Sequence, residues 1–157
     1  MAGKAHTYTA HIDWTNASGT GTTGYKAYSR DHVIQVAGKS DIAASSDPAF
    51  RGDASRHNPE DLFVASISSC HMLWYLHLAA VAGVVVTAYE DDAVGTMVED
   101  ANTGGRFTSV VLRPRVTISA DSDPEKARAA HEQAHKMCFI ANSVNFPVTC
   151  EPTIIAS

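Results

Sequence analysis

Cysteine is scarce in this sequence. There are three thiols in 157 residues, Cys70, Cys138 and Cys150, and no CxxC pair. Without such a pair a thiolate zinc site has no support, and no metal ligand set and no cofactor are expected. Cationic charge is scarce as well. Lysine and arginine total 12, scattered singly, against 17 acids, for a formal net charge of −5. No basic stripe exists to neutralise phosphates, so no nucleic-acid partner is expected. Long apolar runs are missing too. The longest stretch is interrupted by Ser68, Ser69, His71 and His77, which makes it too polar to read as a membrane span. The opening residues Met1-Ala2-Gly3-Lys4-Ala5-His6 lack the apolar core of a signal peptide. These absences point to the cytoplasm, where thiols stay reduced.

What is present suits a single globular domain over 1–157, with 45% apolar and 18% charged residues. Tyr8, Ala10, Ile12 and Trp14 alternate as on one strand face. A turn-rich stretch covers Asn16–Gly24, and Tyr25–Ser29 and His32–Val36 read as short strands. Residues 38–57 have no clear period and read as a long irregular loop, of the kind that often carries function. Asn58-Pro59-Glu60-Asp61 is a helix start, with Asn as N-cap, Pro in the first helical position and acids in the first turn. The run Leu62–Ala82 that follows is apolar on nearly every face, and Gly83 closes it. Val84–Tyr89, Ala93–Val98 and Phe107–Ala120 read as strands. A second helix starts at Asp121-Ser122-Asp123-Pro124-Glu125 and runs to about Cys138, and Pro147–Ile155 reads as a final strand. Short links between strands favour antiparallel pairing. The expected class is α+β, with antiparallel sheets packed on a buried central helix. One small sheet cannot cover a helix on all sides, so an intertwined homodimer is expected to wrap it.

Three patterns invite functional readings. Gly19-Thr20-Gly21-Thr22-Thr23-Gly24 spells GxGxxG, but a dinucleotide site needs a helix to follow, and the next residues read as strand. His131-Glu132-Gln133-Ala134-His135 spells HExxH on a predicted helix, which would let two histidines share a zinc ion with Glu132 as general base. No third ligand is evident, and a solvated helix face is the preferred reading. The third pattern is Asn58-Pro59-Glu60-Asp61-Leu62 followed by Ser68-Ser69-Cys70, with Cys138 further on. It resembles the OsmC/Ohr family, in which an Asn-Pro-Glu helix start leads, ten residues after the Glu, to a reactive cysteine, with a second cysteine after the second helix. In element order the resemblance covers nearly the whole chain.

The resemblance implies an organic hydroperoxide reductase. Cys70 is the attacking sulfur and Cys138 its resolving partner. Arg51 is the cation that favours the thiolate, with Arg56 as the other candidate, and Glu60 holds the guanidinium. A Cys70–Cys138 disulfide would be reduced by an external dithiol. Phe50, His71, Trp74 and Phe139 are candidates to line the substrate pocket. Cys150, in the last strand, reads as a packing residue. On a straight helix ten residues rise about 15 Å, so Glu60 cannot reach Cys70 of its own chain unless the helix bends or a second subunit supplies it. Two other readings stay open: a non-redox protein that binds a small apolar ligand on the same fold, and a zinc hydrolase built on His131, Glu132 and His135.

Overall fold

The computed structural model describes residues 3–15 and 19–157. The start of the expected Asn16–Gly24 turn, residues 16–18, lies outside them. The chain divides into two compact units, Met1–Leu62 and Phe63–Ser157, with the boundary in the first turns of the long helix.

The first unit is a three-stranded antiparallel sheet: β1 (His11–Asp13), β2 (His32–Gln35) and β3 (Ile42–Ala44). The segment Tyr25–Ser29, expected as strand, is a turn. Its aromatic residues are held by Arg30, whose guanidinium lies 4.7 and 4.0 Å from the ring centres of Tyr25 and Tyr28. The same guanidinium donates to both of their carbonyl oxygens at 2.6 Å. Local cation–π and hydrogen-bond contacts thus override the β preference of aromatic residues. The 38–57 stretch is more ordered than its composition suggests. It contains β3 and a 3-10 helix at Pro48–Phe50, which is capped by Asp47.

The long helix α1 spans Pro59–Val81 and begins as expected, with Asn58 Oδ1 accepting from the Asp61 amide at 2.7 Å. Gly83, at φ 77°, ends it in the left-handed conformation that glycine tolerates. The second unit adds β4 (Val86–Asp91), β5 (Val94–Val98), β6 (Arg106–Leu112), β7 (Pro114–Ile118), α2 (Pro124–Met137), β8 (Val148–Cys150) and β9 (Thr153–Ala156). The fold class is the α+β class expected. The sheets are mixed: β4 pairs β7 and β5 pairs β6 antiparallel, whereas β8 adds to β6 and β9 to β7 in parallel. The single strand expected at Phe107–Ala120 is therefore two strands in two sheets. They divide at Arg113, whose amide bonds the Asp91 carboxylate at 2.7 Å, and Pro114, which has no amide to donate, opens the second.

Two apolar clusters hold this unit. In the larger, Tyr75 and Ala79 of α1 meet Ala127, Ala130 and Ala134 of α2 over Val116 and Ile118 of β7. In the smaller, Ile67 of α1 packs on Val110, Leu112 and Val148. Within the chain α1 is buried along one face, at Ile67, His71, Tyr75 and Ala79, a run at helical i+4 spacing. Elsewhere it presents apolar side chains to the outside: Leu73 is 63% and Val81 73% exposed.

Ile67 is fully buried, so Ile67→Ala should cost about 2–5 kcal/mol of unfolding free energy in urea. A loss below about 1 kcal/mol would contradict this packing.

Candidate functional site

Two groups of chemically active side chains meet where α1 packs on α2, and adjacent residues of α1 start both. Neighbouring helical positions point about 100° apart, so Cys70 and His71 address different partners. Cys70 is half-buried, and Cys138, the C-cap of α2, is fully buried. Cys138 lies beside Cys70. Burial, and to a smaller degree the neighbouring Cys70, push the Cys138 thiol up to about 11, while the Ala141 amide, 3.4 Å from its sulfur, works in the opposite direction. At neutral pH Cys138 is therefore a protonated thiol against a second sulfur.

His71 faces the other way, into a polar centre inside the unit. Its Nε2 lies 3.0 Å from Nδ1 of His131 on α2, and the Cys150 sulfur at the end of β8 lies 3.6 Å from His71 Nε2 and 3.8 Å from His131 Nδ1. Tyr75, one turn along α1, stacks on the His131 ring with centroids 3.8 Å apart. Burial disfavours charge throughout this centre. It lowers His71 to about 4, with the Asp91 carboxylate opposing, and His131 to about 3, with His71 and Arg128 adding to the effect. It raises the Cys150 thiol to about 12, aided by Asp91 and Glu151, and Tyr75 to about 12.

The expected site residues are distributed as follows. Cys70 and Cys138 are brought together. Trp74 and Phe139 meet edge to face at 5.5 Å, with Phe139 69% exposed. His71 lies 1% exposed against His131. In the first unit, Phe50 and Arg51 end the 3-10 helix, and Glu60 stands in the first turn of α1. Arg51 holds φ 67°, the left-handed region that non-glycine residues rarely occupy. The next residue must be glycine, because a Cβ on Gly52 would lie 1.5 Å from the Ser46 carbonyl oxygen. Arg56 is engaged by Asp31 at 3.6 Å and by Asp53 at 3.7 Å.

The HEQAH segment does not present two histidines on one solvated face. His131 is 3% exposed, on the same side of α2 as Ala127, Ala130 and Ala134, whereas Glu132 and His135 are exposed. Cys150 is likewise no simple packing residue, since its sulfur touches two imidazoles. Sequence reasoning missed this centre because its members are 60 and 79 residues apart from His71. The one signal was His131 itself, read in the wrong company.

The profile of OsmC-like proteins matches residues 52–153. A solved OsmC-like protein of unknown function from Vibrio cholerae is 35% identical over 95% of this chain and 100% of its own, with a TM-score of 0.86. An organic hydroperoxide resistance protein from Legionella pneumophila is 16% identical over 98% and 99%, with a TM-score of 0.70. One from Elizabethkingia anophelis is 18% identical over the same shares, with a TM-score of 0.69. No curated protein matches the sequence. The chain belongs to the OsmC-like family.

The buried histidines set an acid limit on stability. Their values in the fold lie below the ordinary 6.5, at about 4 and about 3, so between about pH 6.5 and 3 the unfolded chain binds more protons than the folded one. Their contribution to stability is complete above pH 6.5 and is lost as the pH falls. Urea midpoints should drop across that window, and less steeply in His71→Gln. Equal slopes in the two proteins would exclude the histidines as the cause.

Proposed function

We propose that this protein is a thiol peroxidase that reduces organic hydroperoxides through Cys70. The observation that carries the reading is the juxtaposition of Cys70 and Cys138 in a chain of the OsmC-like family. The names of the Legionella and Elizabethkingia structures as organic hydroperoxide resistance proteins support the substrate class.

The Cys70 thiolate attacks the outer peroxide oxygen. The O–O bond breaks, the alkoxide leaves and takes a proton to become an alcohol, and Cys70 becomes a sulfenic acid. The Cys138 sulfur then displaces hydroxide from Cys70, which departs as water with the Cys138 proton, and a disulfide forms. A half-buried attacking sulfur beside a protonated, buried second thiol suits this order of events: one sulfur meets substrate, and the other waits. An external dithiol restores both thiols by exchange, as in the reducing cytoplasm that the reading assumes. Arg51 is the group assigned to favour the thiolate and polarise the peroxide, and Glu60 the group assigned to align it. The left-handed backbone at Arg51 is the kind of local strain that persists where a side chain must be aimed. Trp74 and Phe139 supply apolar surface for the organic part of the substrate, and Phe50 remains a candidate for it, whereas His71 is turned away from Cys70 towards His131.

We further propose a homodimer that covers the apolar side chains α1 leaves outside. Leu73→Glu should halve the mass measured by light scattering, and an unchanged mass would place the interface elsewhere.

Cys70→Ser should abolish consumption of cumene hydroperoxide, and Arg51→Met should slow it by about 10²-fold or more. Cys138→Ser should consume one equivalent and stop at a sulfenic acid that dimedone traps. Multiple turnovers by Cys70→Ser would refute the assignment.

A further inference from the structure

We propose that His71, His131 and Cys150 form a binding site for one zinc-class divalent cation, against the expectation from sequence that the chain has no metal ligands. The inference is independent of the peroxidase reading, because neither Cys70 nor Cys138 belongs to the set.

The geometry carries it. The three donor atoms, one from each of α1, α2 and the end of β8, lie 3.0, 3.6 and 3.8 Å apart. A tetrahedral zinc ion with nitrogen ligands at about 2.0–2.1 Å and sulfur at about 2.3 Å has edges of about 3.3 Å between nitrogens and about 3.6 Å between nitrogen and sulfur. The donor spacings are therefore close to those of one face of such a tetrahedron. Two imidazoles and one thiolate are a borderline-soft set, suited to zinc and unsuited to magnesium or calcium. The three residues are the His/Cys/Asp/Glu group among the described residues whose donor atoms converge in this way.

The surroundings are aromatic: the Tyr75 and Tyr89 ring centres lie 3.8 and 6.4 Å from that of His131. A cavity of about 580 Å³ opens on His131 and Cys150 and is bordered by Glu132, His135, Arg128 and Thr149. It provides a route of entry and room for a water as fourth ligand, the open position that distinguishes a reactive zinc site from a closed structural one. Glu132 and His135, the exposed part of the HEQAH segment, would face that water rather than the metal's protein side. On binding, the Cys150 S–H bond breaks, the sulfur keeps the electron pair and donates it to the cation, and the proton goes to solvent, while the proton shared by His71 Nε2 and His131 Nδ1 moves to the other nitrogen of its ring so that both donors present lone pairs. No change of oxidation state is involved.

The test titrates the reduced protein with Co²⁺ and, separately, with Zn²⁺. One equivalent of Co²⁺ should give a sulfur-to-cobalt charge-transfer band and the strong visible bands of a tetrahedral ion. Both should survive in the Cys70→Ser/Cys138→Ser variant and vanish in Cys150→Ser. In the unaltered protein, which removes any dependence on a variant's folding, saturating Zn²⁺ should slow iodoacetamide labelling of Cys150 by about 10-fold or more, read by peptide mass spectrometry. The proposal is overturned if wild-type protein gives no thiolate–cobalt band, if the band outlasts Cys150→Ser or disappears with Cys70 and Cys138, or if Zn²⁺ leaves Cys150 labelling unchanged.

Discussion

The packing of α1 on α2 is the constraint on which the rest of the second unit depends. Tyr75 lies flat on His131 at the centre of that contact, surrounded by the small side chains Ala79, Ala127, Ala130 and Ala134. The small alanine side chains leave room for one large aromatic pair to fill the space between the helices. With that contact fixed, Cys70 lies one turn or so before Tyr75 on one helix and Cys138 two turns beyond His131 on the other, and the two cysteines become neighbours. The same contact aims His71 at His131. A single apolar interface thus sets both the thiol pair and the imidazole–thiol centre.

Electrostatics follow from where that interface lies. Groups buried beside it are held in their uncharged forms: imidazoles neutral, Cys138 and Cys150 protonated, tyrosines un-ionised. An uncharged interior avoids the large cost of placing isolated charge in a low-dielectric region. It also divides labour between the cysteines. Cys70 is the half-buried one of the neighbouring pair, Cys138 is sealed, and Cys150 belongs to the histidines.

Much of this was legible in the sequence, and the reason differs with each feature. The start of α1 could be read because Asn58-Pro59-Glu60-Asp61 satisfies helix-end chemistry locally, and the start of α2 because Asp123-Pro124-Glu125 does the same. The Cys70 and Cys138 pairing was suggested by resemblance, since nothing local specifies a contact between residues 68 positions apart. Local pattern failed where distant partners decide. Tyr25–Ser29 is a turn because Arg30 gathers its carbonyls and rings. The parallel pairing of β8 and β9 depends on returns from distant segments. Ile42–Ala44 is too short to show a period, and it became a strand by pairing with β2. His131 looked solvent-facing because a two-histidine motif was read along one helix, whereas its partner is on another.

The central claim, that Cys70 and Cys138 form the working pair, is tested most directly by mapping disulfides after the reduced protein meets one equivalent of an organic hydroperoxide. Peptide mass spectrometry should find Cys70 joined to Cys138 in near-stoichiometric yield, with Cys150 still a free thiol. A bond that includes Cys150, or three thiols left untouched, would contradict it.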